Sequence, residues 1–106
     1  MNRDKLNTML SKGQDSSMLR FGLGNACLDD GDVEEAVTHF QRCVELDADY
    51  SAAWKMLGKA CLAAEQYNQA RDAWTSGLSA AAKRGDKQTE REINVFLKRL
   101  NKQQGE

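Results

Sequence analysis

Residues 50–82 read YSAAWKMLGKACLAAEQYNQARDAWTSGLSAAA, and this stretch decides the fold. Within it Trp54-x-x-Leu57-Gly58 is followed by Tyr67, Ala70 and Trp74, the residue order of a helix–turn–helix repeat unit. The reason for that order is geometric. A glycine beside a leucine lets two antiparallel helices approach closely, and Ala70 removes the matching bulk on the second helix. The two tryptophans are then expected to fill the space where the helix pair widens.

Moving the window back by 34 residues reproduces the register. Ser17, Leu23, Gly24, Ala26, Cys27, Leu28 and Ala36 recur as Ser51, Leu57, Gly58, Ala60, Cys61, Leu62 and Ala70. Phe40 stands against Trp74 and Val33 against Tyr67. The coincidences fall where paired helices must touch rather than at random.

On these residues the chain resembles the tetratricopeptide repeat (TPR) family, and more closely its small two-repeat bacterial-type members. The resemblance implies an all-α, solenoid-like stack of antiparallel helix pairs. It places repeat one at 17–50 and repeat two at 51–84. An N-terminal helix at 2–12 and a capping helix at 86–103 flank them in a single domain over 1–106. Two departures stand out. The family's proline near the end of each repeat is absent, with Ala48 and Ala82 in its place and no proline anywhere in the chain. Arg20 occupies the slot of Trp54, which suggests the short N-terminal helix as its neighbour in place of another repeat.

The local signals agree with this layout. Leu6, Met9 and Leu10 make one apolar stripe over residues 2–12, with Asn2 as a cap, Asp4 in the first turn and Gly13 as the stop. The next helix runs from about Ser16 to Asp29, with Asp15 as its candidate cap and Leu19, Leu23, Ala26 and Cys27 inward. Asp30-Gly31-Asp32 reads as a turn, and Asp32 with Glu35 reads as a capping box. The acidic residues around it lack the loop spacing for calcium. In repeat two Glu65-Gln66 replaces Gly31-Asp32, so this turn is weaker. Lacking a proline stop, the helix from Tyr67 continues towards Arg84 until Gly85-Asp86 ends it. Ile93, Phe96, Leu97 and Leu100 then form the stripe of the last helix, and residues 101–106 are expected to fray.

Composition bounds the function. A chain of 106 residues fits one domain, and 41% hydrophobic with 29% charged residues excludes wholesale disorder. No apolar run reaches the ~18 residues of a membrane span, and Met1-Asn2-Arg3-Asp4-Lys5 lacks a signal-peptide core. A cytoplasmic protein with no membrane partner is expected. Residues 1–50 carry 5 Lys/Arg against 10 Asp/Glu, and 51–106 carry 10 against 6. This asymmetry can orient a partner, but it lacks the concentrated basic face of a nucleic-acid binder. Cys27, Cys43 and Cys61 contain no C-x-x-C and read as reduced, buried small hydrophobes.

No catalytic constellation emerges. His39 is the lone histidine, no serine or cysteine has a triad partner, and no phosphate loop or paired metal spacing occurs. Neither an enzyme activity nor a cofactor or metal is expected. The resemblance instead implies a concave groove lined by the first helix of each repeat. Phe21, Asn25 and Leu28 map onto it from repeat one, and Lys55, Lys59 and Leu62 from repeat two. That set suits a peptide segment or partner helix with an acidic or C-terminal carboxylate and a large apolar side chain. The carboxylate clamp of the family's chaperone-binding members is matched only at Asn25. Phe21 replaces the clamp lysine, Met56 replaces an asparagine, and acidic Asp86 and Glu90 open the last helix. A heat-shock co-receptor is therefore disfavoured. The alternative to an adaptor is a self-associating scaffold, a homodimer for instance, because two repeats fall short of the usual three.

Overall fold

A computed structural model describes residues 3–105, and over them the chain forms six α-helices and no strand. They are α1 (Arg3–Ser11), α2 (Ser17–Asp29), α3 (Val33–Leu46), α4 (Ser51–Ala63), α5 (Tyr67–Arg84) and α6 (Lys87–Gln103). The repeat windows enclose α2–α3 and α4–α5, with α1 laid on α2 and α6 on α5 and α4. The principal extents are 45 × 29 × 19 Å, and the radius of gyration of 13.6 Å slightly exceeds the ~13 Å of a compact chain this size. That is the shape of a short stack.

Glycine notches set the spacing inside each pair, though not in the way the sequence suggests. A Cβ on Gly24 would come within 2.5 Å of the Phe40 ring, and one on Gly58 would collide with the Trp74 indole. The aromatics thus seat directly on the glycines; they do not fill a gap where the helices widen. Gly77 takes the opposite side, with Trp54 and Ile93 against it. Trp54 Nε1 also donates to the Ala48 carbonyl at 2.8 Å, pinning the linker where the family's proline would stand.

Cys27, Ala36, Phe40, Cys43, Ala53, Leu57, Ala60, Cys61, Ala70, Trp74, Ile93 and Leu100 form one continuous core. Leu6, Leu19 and Leu23 form a second cluster beneath α1, joined by Met9 and Leu10. Each end of the stack is therefore covered, which a repeat unable to bury its own apolar face requires.

The ends of α2, α4 and α5 follow one plan. In the turn inside each repeat the chain closes by a long backbone bond, Asp32 N to Cys27 O and Gln66 N to Cys61 O, each at 2.8 Å. This Schellman closure needs a left-handed residue. Gly31 supplies it at φ +82°, and Glu65 adopts it at φ +61° despite its side chain. The same closure at Gly85, where Asp86 N reaches Ala81 O at 2.8 Å, ends the long α5.

Several expectations at the helix starts are corrected. Ser16 caps α2, its Oγ accepting from Leu19 N at 3.1 Å, while Asp15 instead pairs with Arg20 and Arg42 at 2.8 and 3.4 Å. The Asp32–Glu35 capping box does not form, since Asp32 makes no side-chain cap bond. Arg3 of α1 draws both carboxylates to itself, together with Asp30, at 2.6, 2.7 and 2.9 Å. Repeat one does have α1 as its neighbour, as expected from Arg20 in the slot of Trp54, although Arg20 itself faces α3 through His39. The proposed Asn2 cap lies outside the described residues. At the other end, residues 101–103 stay helical, and Asn101 accepts from Arg71 Nε at 3.2 Å. Leu46, the last residue of α3, is exposed.

Candidate functional site

The six groove candidates do not converge on one surface feature. Phe21 stacks on Tyr50 with ring centroids 4.9 Å apart and meets the edge of Phe40 at 6.0 Å, so it is held by aromatic contacts within repeat one. With Asn25 it also lines a shallow cavity of about 290 Å³ along α2, together with Met18, Gly22, Ala26 and Asp29. Leu28 packs against the main core. Lys55 is engaged by Glu92 of α6 at 3.1 Å, and only 19% of its side chain is exposed.

Lys59 and Leu62 lie elsewhere, on a cavity of about 350 Å³ between α4 and α6. Its floor is apolar: Leu62, Ala63, Trp74, Phe96 and Leu100 line it. The floor is also rigid. Trp74 Nε1 donates to the Lys55 carbonyl at 3.0 Å, which fixes the indole, and Phe96 rests on that indole with centroids 5.4 Å apart. Lys59 Nζ sits 5.7 Å above the Phe96 ring, a cation–π distance, and Arg99 lines the same cavity. An apolar recess bearing two cations is chemically suited to an apolar side chain next to a negative group.

Sequence reasoning missed half of this cavity. Phe96 and Leu100 belong to the stripe Ile93, Phe96, Leu97 and Leu100, which signals only a buried cap, while Arg99 and Gln103 extend the same face at i+3 and i+7 from Phe96. Its outer edge becomes cavity wall because α6 leans across the end of α4.

Electrostatics elsewhere are local. The Thr89 hydroxyl and N–H and the Ser51 hydroxyl hold the Asp86 carboxyl below its ordinary range. Arg20 does the same for Asp15. Burial pushes all three thiols up, Cys43 to about 11. Burial, assisted by Arg20, lowers His39. Among the described residues one set of metal-ligating side chains gathers, Cys27, Glu35 and His39, and it shares no residue with either cavity.

The comparisons match the architecture. The tetratricopeptide repeat profile covers residues 27–86. A TPR repeat-containing protein of Pseudomonas aeruginosa is 56% identical over 97 residues, 92% of either chain. A Bordetella parapertussis protein solved in solution superposes with a TM-score of 0.83 at 39% identity, covering 97% of this chain and 90% of that one. A tetratricopeptide repeat domain protein of Salinibacter ruber shares the fold, with a TM-score of 0.74 at 22% identity over 81% of this chain and 87% of its own. The chain belongs to the tetratricopeptide repeat family. Proteins of this family generally serve as protein-interaction modules and not as enzymes. No helix among the described residues is long and apolar enough to cross a membrane.

Proposed function

We propose that the protein is an adaptor that holds a segment of a partner protein at the α4–α6 cavity. The segment inserts a leucine- or phenylalanine-sized side chain and sets a carboxylate, acidic or C-terminal, on Lys59 and Arg99. The observation that carries this reading is the apolar 350 Å³ recess with those two cations on its lining. Lys55, committed to Glu92, lies outside the cavity lining and takes no part in holding the segment. Exposed charge pairs are each worth only ~0–1 kcal/mol, so burial of the apolar side chain supplies most of the affinity.

The test is a panel of fluorescent peptides ending in leucine or phenylalanine, as free acids and as amides, titrated by polarisation. Free acids are expected to bind better than amides, and Lys59→Glu with Arg99→Glu is expected to remove that preference. Free-acid binding that ignores the double change would remove the cavity from consideration.

A further inference from the structure

Cys27 near the end of α2 meets Glu35 and His39, one turn apart on α3. One ligand atom from each lies within 4.8 Å of the others, and Cys27 Sγ stands 3.9 Å from Glu35 Oε2. With metal–ligand bonds of about 2.0–2.3 Å, the edges of a tetrahedral site run about 3.3–3.8 Å, so small side-chain rotations suffice. We propose that Cys27, Glu35 and His39 form a binding site for a zinc-class divalent cation, guarded by the Arg3 guanidinium.

The ligand set selects the ion class. Thiolate with imidazole favours borderline-soft first-row cations over magnesium or calcium, and water completes the fourth position. The charge balance also permits it. Arg3 and Arg20 adjoin the site, but four carboxylates, Asp15, Asp30, Asp32 and Glu35, surround the same two cations.

Neither arginine depends on the triad. When Glu35 turns to a metal, Arg3 keeps Asp30 and Asp32 at 2.9 and 2.6 Å. Arg20 Nη1 now donates to His39 Nδ1 at 3.1 Å, which leaves the ring proton on Nε2. A metal on Nε2 moves that proton to Nδ1 and releases Nη1, while Arg20 keeps both bonds to Asp15, at 2.8 and 3.2 Å. The buried Cys27 thiol gives its proton to solvent on binding. Arg3 and Cys27 share the same Glu35 oxygen, so the guanidinium and the metal compete for one position.

Cobalt(II) titrated into the reduced full-length protein tests this, with zinc as the competitor. The expected result is a near-ultraviolet thiolate-to-cobalt band that saturates at one ion per chain and is bleached by zinc. It should vanish in Cys27→Ser and survive Cys61→Ser. His39→Ala and Glu35→Gln should each weaken binding by more than about tenfold, the scale of even an outer-shell loss. Arg3→Ala should tighten it. Should Cys27→Ser fail to fold by circular dichroism, the more exposed His39 and Glu35 variants decide the matter. No band, a band that survives in folded Cys27→Ser, or binding indifferent to His39→Ala and Glu35→Gln would overturn the proposal.

Discussion

A methyl group at residue 58 has nowhere to go, because the Trp74 indole already occupies its position. The indole cannot retreat, since its Nε1 is tied to the Lys55 carbonyl at 3.0 Å and Phe96 closes its other side. Gly58→Leu is therefore expected to destabilise at least as much as Leu57→Ala, for which a buried leucine cavity costs about 2–5 kcal/mol. Urea midpoints shifted by less than about 1 kcal/mol in both variants would show that the helix register is wrong. The opposite sign is expected at Glu65. It adopts a left-handed conformation that costs a residue with a Cβ about 1–2 kcal/mol, and Gly31 shows the same turn made without that strain. Glu65→Gly should raise stability by about 1 kcal/mol after the entropy of a freer unfolded chain is subtracted; an unchanged or lowered midpoint would refute this. These positions were legible in the sequence because steric demands at a close backbone approach admit few residue types. What occupies each notch was not, since that depends on side-chain rotamers across the pair.

At the scale of the element, the helices begin and end by different means. Schellman closures could be anticipated wherever a glycine stands, and the long α5 followed from the absence of proline. Capping chemistry was harder. Asp15 and Ser16 are adjacent and equally suited by type to cap α2; Ser16 takes the role while Asp15 pairs with Arg20 and Arg42. Asp32 and Glu35 have the spacing of a capping box, yet Arg3 comes from α1, 29 and 32 residues away in sequence, to take both. Pairings at that separation leave no local signature. Asp86 is the cap with the largest structural reach. One oxygen accepts from Thr89 N at 3.1 Å to start α6, and the other accepts from the Ser51 hydroxyl at 2.7 Å at the start of α4. Those donors hold its carboxyl below the ordinary range, so the folded state favours the ionised form. Its contribution is fully present above the unfolded value of about 3.9 and is lost as pH falls through the depressed folded value. Asp86→Asn keeps an acceptor but not the charge. The gap in urea midpoint between wild type and this variant should be widest near neutral pH and shrink below about pH 4. A gap independent of pH would show that ionisation of Asp86 contributes nothing.

For the molecule as a whole, two repeats suffice because each end is closed by a helix from outside the repeat pattern. The sequence showed the stripes on both closing helices, and hence the stack, from the spacing of apolar residues. It did not show that α6 would share its edge with α4 to make the cavity, because that depends on the angle at which the cap crosses. The two closures differ in kind. α1 buries Leu6 and relies on the Arg3 network, whereas α6 buries Ile93 and Leu100 almost completely against the floor of repeat two. At about 1.5–3 kcal/mol for each fully buried large aliphatic side chain, α6 contributes a large share of the 5–15 kcal/mol that holds such a domain folded. Removing residues 87–106 would bare Trp74, the notch at Gly77 and the apolar edge of α4 together. The outward face of α6, by contrast, carries the exposed Arg91 and Lys98 beside a single exposed aliphatic residue, Val95, and like charges on two copies would oppose their association there. Light scattering over a range of concentrations should therefore find the intact chain monomeric. The chain ending at residue 86 should be less stable to urea and should associate as concentration rises. If the truncated chain remained monomeric with an unchanged midpoint, α6 would be a detachable helix resting on a complete core, and the cavity beneath it would not be a built feature of the fold.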